Sequence, residues 1–328
     1  MVVKYTLLQP HCFAYGGFDI PMLQTSDAIQ ESGVNIAKLD PWSRDHSFDI
    51  LHCWGLGFSH YENYFWAKKS GKKLVATILM HDIDSALANL KFKVSALISK
   101  QRIMKGMLQM PDEIVVVNEG QADICNHYYK VNAAKIHVIP NVVNEIFFDA
   151  HPQNLMDYVL TTGNVCRRKN QLTLARACVQ LGIRLVIIGK VMQGEEDYGK
   201  MLKRFTAQHP DLLTWVAELK ENSIELINYY KSCRVFALPS FVEQQPISAL
   251  EAAVLQKPLV LAKRPYANQK FYRPACLVDP GSITAVAEGL LKAWQHGRRY
   301  IPHDGPLQEC RKQNIGANYK KLYENLFI

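Results

Sequence analysis

The sequence predicts an α/β protein made of two Rossmann-like, doubly wound parallel-sheet domains in tandem. Three observations lead there. Short apolar runs recur along the chain, separated by stretches in which apolar residues return every three or four positions. The first pattern reads as buried strands and the second as helices laid on a sheet. The length of 328 residues leaves room for two domains of ordinary size. A polar segment, His151-Pro152-Gln153-Asn154, divides the alternation in half and reads as a linker.

In the first half, expected at residues 1–150, a strand is predicted over 3–8. His11 and the turn containing Gly16-Gly17 follow, then a helix over 20–31 that ends at Ser32-Gly33, and a strand over 34–39. Strand, glycine turn, helix, strand is how a doubly wound domain opens. Further strands are expected over 48–52 and 73–80; the second runs into His81-Asp82-Ile83-Asp84. Ligands of such sheets sit beyond the carboxyl ends of the strands. His81 is therefore the first histidine candidate for a site, with His52 and His11 behind it. The plain alternative for His81 is a capping or surface His-Asp pair. Residues 91–110 form a basic amphipathic pattern that suits a helix on an anionic membrane, or simply a domain helix with a wet basic side. A strand over 113–118, a helix over 120–129 and a strand over 135–141 complete this half.

The second half, expected at 155–300, opens with a strand from Tyr158 that runs into Gly163-Asn164-Val165-Cys166-Arg167-Arg168-Lys169-Asn170. Helices over 171–181, 197–208 and 223–232 alternate with strands over 184–188 and 213–216. Next comes the most informative stretch, 235–262. A buried strand, Val235-Phe236-Ala237-Leu238, stops at Pro239-Ser240. The polar loop Glu243-Gln244-Gln245 leads to Pro246, read as the first helical residue. Ile247, Leu250, Ala253 and Val254 then recur at helical spacing, and Leu259-Val260-Leu261-Ala262 begins the next strand. A helix over 283–295 and a tail helix over 307–327 finish the chain; the tail, 305–328, is expected to pack back on the first domain.

The start of the helix after Pro246 offers unpaired N–H groups and a partial positive charge, which suit a phosphate. Glu251 could accept hydrogen bonds from two neighbouring hydroxyls, as a ribose diol presents them, and Glu243 could face a transferred group. Taken alone, both carboxylates have bland readings: a solvated helix residue, and a charge favoured by the helix dipole.

Composition excludes several classes. About 48 % of residues are hydrophobic, yet no run of about 18 apolar residues appears. The first ten residues lack a signal peptide's apolar core and cleavage site and read as a strand. The eight cysteines are scattered without a C-x-x-C pair, as expected of reduced core thiols in a cytoplasmic protein. Of the net charge of +8, residues 1–150 carry 14 basic and 15 acidic groups, and the remainder 24 and 15. That excess suits a polyanionic ligand, and no nucleic-acid motif accompanies it.

The run P-S-x-x-E-x-x-x-x-x-x-L-E-A from Pro239, followed by K-P-L-V from Lys257, resembles the donor-site signature of the family-four retaining glycosyltransferases of the GT-B fold (glycosyl transferases group 1). The likeness is good over 158–294 and looser before it. It implies two Rossmann-like domains facing across a cleft, and transfer of a sugar from a UDP- or GDP-sugar to an acceptor hydroxyl with retention of configuration. No cofactor or bound metal is implied, although Asp82-Ile83-Asp84 matches D-x-D. The acceptor implied is a glycan or a lipid-linked sugar, in glycan, glycolipid or surface polysaccharide synthesis. The location implied is the cytoplasm, with peripheral membrane contact through 91–110.

By the same resemblance, Gly16 and Gly17 approach the donor or acceptor, and His81 stands near the donor sugar. Lys169 matches the lysine of a G-R-x-x-x-x-K-[GN] loop that binds the donor diphosphate. The arginine position of that loop holds Asn164, so either Arg167 or Arg168 is expected to supply the charge. Gly163, Gln245, Pro246, Ile247 and Glu251 complete the donor side, with Glu243 at the transferred sugar. Val142 replaces the glycine of an I-P-N-G-V segment. The two departures keep a non-catalytic nucleotide-sugar-binding subunit open as an alternative, beside a GT-B epimerase. Should Lys169 and both arginines prove dispensable, Lys263 or Arg264 would be the next basic groups to consider.

Overall fold

The computed structural model describes residues 1–12, 19–80, 99–150 and 155–328. Their apolar runs form two six-stranded sheets whose described pairings are all parallel. The chain divides into two compact units, residues 1–142 with 309–328, and residues 143–308. No described helix is long and apolar enough to cross a membrane. All eight cysteines are free thiols, and seven are buried.

In the first unit the strands are β1 (Val2–Leu7), β2 (Asn35–Lys38), β3 (Ile50–Trp54), β4 (Lys73–Thr77), β5 (Glu113–Val116) and β6 (Ile136–Val138), in the order β2-β1-β3-β4-β5-β6. The helices are α1 (Asp19–Glu31), α2 (Tyr61–Lys69), α3 (Ser99–Met107) and α4 (Glu119–His127). Successive strand side chains point to opposite faces, which sorts the core in two. Val3, Ile50, Val75 and Val115 pack under α1 on one face. Leu51, Leu74, Ile114 and Val116 pack under Tyr64 of α2, Met107 of α3 and Ile124 of α4 on the other. Asn118 caps α4, its side chain accepting from the Gln121 N–H.

The last helix of the chain, α12 (Lys312–Asn325), covers the α1 face of this first unit through Ile315, Tyr319 and Tyr323. Tyr323 of this helix reaches His52. The apolar run carrying that histidine extends to Trp54, so His52 lies inside β3 and not at its mouth. It is fully buried, with Nδ1 2.7 Å from the Tyr323 hydroxyl, Nε2 2.8 Å from Thr77 Oγ1, and its ring stacked on Trp54. Burial pushes its pKa down to about 3, so it is a neutral core group. The expectation that His52 stands beside a ligand is corrected by that parity and depth.

The second unit contains β7 (Met156–Thr162), β8 (Arg184–Ile188), β9 (Leu213–Val216), β10 (Cys233–Leu238), β11 (Leu259–Ala262) and β12 (Cys276–Val278), in the order β12-β11-β10-β7-β8-β9. Its helices are α5 (Glu145–Phe148), α6 (Gln171–Leu181), α7 (Glu196–Gln208), α8 (Ile224–Ser232), α9 (Ile247–Val254), α10 (Ile283–Gln295) and α11 (Asp304–Leu307). Leu174 and Ala175 of α6 and Val286 and Leu290 of α10 share one face with Val159, Val235 and Val260. On the other, Tyr230 of α8 stacks on Phe236 and takes Phe147 of α5 edge-on at 5.6 Å. That buried phenylalanine explains why the chain passes to the second unit after Val142, ahead of Ala150. The segment read as the linker, 151–154, lies outside the described residues.

Sheet order locates the functional end of this unit. The chain winds outward from β7 to β8 and β9, then returns to lay β10 on the other side of β7 before continuing to β11 and β12. The reversal falls between β7 and β10. In open α/β sheets, ligands bind beyond the carboxyl ends of the strands at such a point. Here those ends are Thr162 and Leu238.

Candidate functional site

Two loops leave the switch point side by side. The first begins at Gly163, whose φ of +115° lies in a region that side-chain-bearing residues avoid. Space requires glycine too, since a Cβ there would press on the Lys169 side chain, 3.1 Å from Nζ. Gly189, after β8, passes so close that its own Cβ would fall 2.1 Å from the Gly163 carbonyl oxygen. The loop then makes a short 3-10 turn, Arg167–Lys169, and Asn170 takes a left-handed conformation before α6.

Asn170 ties the loops together. Its Nδ2 donates to the carbonyls of Pro239, at 3.2 Å, and Pro280, at 2.7 Å, which lie after β10 and β12. The Phe241 N–H donates to the Arg168 carbonyl, and Arg168 Nη1 donates to the Val242 carbonyl at 2.6 Å. Gln171 Nε2 donates to the Asn164 carbonyl, which fixes the backbone at the position where the resembled loop carries arginine.

Glu243 projects into this frame from the second loop and is 7 % exposed. Its Oε1 lies 3.1 Å from Lys169 Nζ and 3.0 Å from Arg168 Nη1. Burial opposes ionisation of the carboxyl, but the charges of Lys169 and Arg168 outweigh it and hold its pKa below the usual carboxylate value. The basic triplet therefore divides. Lys169 and Arg168 turn to Glu243, whereas Arg167 is exposed, lies 3.7 Å from Glu195 and rests over the Tyr198 ring. The sequence left the two arginines equivalent; the 3-10 turn separates them by rotating successive side chains apart.

Gln245 is buried, its Nε2 donating to Gln269 Oε1, and Gln269 Nε2 donates to the Gln244 carbonyl. Pro246 has an extended backbone, ψ 117°, and caps α9 from outside, so the first helical residue is Ile247. This corrects the sequence reading by one position. Glu251, one turn into α9, accepts a 2.7 Å hydrogen bond at Oε2 from the Tyr230 hydroxyl. That hydroxyl in turn accepts from Thr162 Oγ1 at 2.6 Å. Burial, with Glu221 nearby, raises the Glu251 pKa to about 7, against the opposing pull of Tyr230 and Lys169. Burial also raises the pKa of Glu221. One site thus holds two carboxylates in opposite conditions: Glu243 locked in its ionised form by two cations, and Glu251 poised near neutrality.

Sequence reasoning missed Tyr230, Thr162, Asn170 and Gln269, because each acts through a partner 21 to 110 residues away. The one available signal was Asn170, an asparagine directly before a helix. Lys263 and Arg264 follow β11 with no described contact to Glu243 or Glu251. His11 lies 3.2 Å from Asp19. Gly16, Gly17, His81, Asp82, Asp84 and residues 91–98 are outside the described residues. Among the described residues, no three His, Cys, Asp or Glu side chains cluster as metal ligands would.

The family model described as glycosyl transferases group 1 matches residues 157–296, and that of glycosyltransferase family 4 matches residues 17–145. The chain belongs to this glycosyltransferase family. No curated protein sequence matches it. Among solved structures, this glycosyltransferase is similar to sucrose-phosphate synthase from Thermosynechococcus elongatus, at 16 % identity and a TM-score of 0.77 over 100 % of this chain and 99 % of that one. It is similar to HepE of Anabaena in complex with UDP and glucose, at 13 % identity and a TM-score of 0.73 over 99 % of both chains. A glycosyltransferase from Rickettsia africae matches at 13 % identity and 0.70, over 99 % of this chain and 98 % of that one. At these identities the likeness establishes the fold, two Rossmann-like parallel-sheet domains of the GT-B type.

Proposed function

We propose that this glycosyltransferase moves a sugar from a UDP- or GDP-sugar to an acceptor hydroxyl with retention of anomeric configuration, and that its second unit binds the donor without a metal ion. The observation that carries the reading is the pair of cations, Lys169 and Arg168, held on one buried carboxylate at the β7/β10 switch point. A diphosphate is the natural competitor for those cations. It brings more negative charge than Glu243, and Arg forms paired hydrogen bonds to phosphate oxygens.

In this reading the donor diphosphate takes over Lys169 and Arg168, with the tight turn at Gly163 and the first turn of α9 after Pro246, whose N–H groups begin at Ile247, beside it. Charge that develops on the leaving diphosphate is then met by groups already oriented for it. Glu243, released from its ion pairs, turns to the hydroxyls of the transferred sugar. Glu251 accepts from the ribose diol with the oxygen that Tyr230 leaves open. Asn164 and Gln245 shape the loops, and Arg167 stays at the rim. His81, Gly16 and Gly17 keep the roles that family resemblance gives them, near the donor sugar and the acceptor. HepE, whose structures carry UDP, UDP and glucose, or UDP-glucose, supports a uridine nucleotide as the first donor to try. A glycan or lipid-linked acceptor, a role in glycan, glycolipid or surface polysaccharide synthesis, a cytoplasmic site of action and membrane contact through 91–110 complete the proposal.

The test is a panel of UDP-, GDP- and ADP-sugars incubated with the wild-type chain and Lys169→Ala. Slow release of nucleotide and sugar from one donor, lost in the variant, supports transfer. Tight donor binding with no release by the wild type would point instead to the nucleotide-sugar-binding subunit that the departure at Asn164 left open.

A further inference from the structure

Behind Glu251 stands a chain of two hydroxyls more specific than a buried tyrosine needs. Tyr230 of α8 is fully buried. Its ring lies nearly parallel to Phe236 of β10, at 5.6 Å and 16°, and perpendicular to Phe147 of α5. Packing on two sides fixes the ring, and with it the hydroxyl. Burial, with Glu251 beside it, raises the phenol's pKa well above its usual value, so it keeps its proton. That proton goes to Glu251 Oε2 at 2.7 Å. The 2.6 Å contact with Thr162 must then run the other way, with Thr162 Oγ1 donating. Thr162 is the last residue of β7, so the chain Thr162–Tyr230–Glu251 starts at the switch point and ends on α9.

Stability alone asks for less. A buried phenol needs one acceptor, and a backbone carbonyl serves. Tyr158 donates to the Tyr229 carbonyl at 2.6 Å, and Tyr266 to the Leu238 carbonyl at 2.9 Å. Tyr230 instead places its proton on a carboxylate at the ligand end of the sheet. A glutamate side chain is long and costs entropy to order. With Oε2 held by a fixed hydroxyl, little of that freedom remains, and Oε1 is left for a ligand. Burial raises the Glu251 pKa, and the Tyr230 hydrogen bond is the strongest influence against it. The hydroxyl thus favours the ionised form, which accepts hydrogen bonds and donates none.

The geometry points to Tyr230 as a positioning residue for Glu251, with Thr162 behind it: the pair holds the carboxylate so that the site selects nucleotides whose ribose carries free 2′ and 3′ hydroxyls. The inference rests on the donor reading, in which Glu251 meets the ribose. It adds two residues that act through Glu251.

The experiment is calorimetry of the full chain with two nucleotides: whichever of UDP, GDP and ADP the wild type binds, and its 2′,3′-dideoxy counterpart. Wild type, Tyr230→Phe, Thr162→Val and the double variant are compared. Tyr230→Phe keeps the ring and its stacking; Thr162→Val keeps the side chain's size and carries the same test should the first variant fold poorly. Wild type should favour the ribonucleotide. Tyr230→Phe should lower affinity for it about tenfold or more, and Thr162→Val about threefold, while neither changes affinity for the dideoxy nucleotide. The double variant should bind no more weakly than Tyr230→Phe, since Thr162 acts through Tyr230. A merely structural role would weaken both nucleotides alike, and that result would overturn the proposal. So would unchanged ribonucleotide affinity in Tyr230→Phe and Thr162→Val when the wild type discriminates the two nucleotides; the donor reading would then stand. A wild type that binds both nucleotides equally would remove Glu251 from the ribose, and one that binds no nucleoside diphosphate would remove the donor reading; either result ends this inference as well.

Discussion

Replacing Glu251 with glutamine separates the cost of the donor site from its use. In the folded chain, burial raises this carboxyl from 4.5 to about 7, with Glu221 adding repulsion and Tyr230 and Lys169 pulling the other way. A raised folded-state pKa means that the native state holds a proton which the unfolded chain has released. The group's stabilising contribution is therefore complete below pH 4.5 and is lost as pH rises through 7. Full linkage over that interval amounts to roughly 3 kcal/mol; the partial exposure of the side chain reduces it to about 1–2 kcal/mol. Glutamine keeps an acceptor for the Tyr230 hydroxyl and carries no charge. Glu251→Gln should thus be more stable than wild type by about 1–2 kcal/mol at pH 8, a gain that shrinks to nothing near pH 4.5. Urea unfolding across that range measures it. The same change removes charge-assisted hydrogen bonds to the ribose, each worth about 1.5–3 kcal/mol. Nucleoside diphosphate affinity, read by calorimetry at pH 8, should fall about 10- to 100-fold. A variant that is less stable at every pH, or that binds nucleotide as wild type does, would refute the reasoning.

Lys169→Ala and Arg168→Ala should each lower turnover by roughly one to two powers of ten, while Arg167→Ala and Asn164→Ala stay within a few-fold of wild type in steady-state kinetics. Equal losses at both arginines would contradict the geometry. Because positive side chains are proposed to neutralise the diphosphate, activity should survive EDTA; loss restored by manganese would recast Asp82 and Asp84 as ligands. His52→Ala leaves the Tyr323 hydroxyl and Thr77 without their partner and should cost about 2–4 kcal/mol of stability with nucleotide affinity unchanged. Since the folded pKa of His52 is depressed to about 3, its share of wild-type stability should fade as pH drops below 6.5, and acid titrations of the two proteins should converge.

Much of the architecture was legible because parallel strands buried on both faces leave continuous apolar runs, as Val235 to Leu238 does. The two carboxylates of the site were legible for a similar reason: Glu243 before a helix start and Glu251 eight residues later are a local pattern. What escaped the sequence was long-range or depended on direction. Arg167 and Arg168 are neighbours of one type, and only the turn at Arg167–Lys169 gives one to Glu243 and the other to Glu195. Nothing near Glu251 announces Tyr230, which arrives from another helix 21 residues earlier. His52 was misplaced because its strand continues two residues beyond it. Asn170 looked like an ordinary loop residue until its amide was found joining the loops after β10 and β12.

A crystal structure of the second unit's site with a nucleoside diphosphate bound to the full chain tests the central claim most directly. The account predicts the diphosphate on Lys169 and Arg168, the ribose hydroxyls on Glu251, and Glu243 released from both cations. A nucleotide bound with the Glu243 ion pairs intact, or with its phosphates held by Lys263 and Arg264, would contradict it.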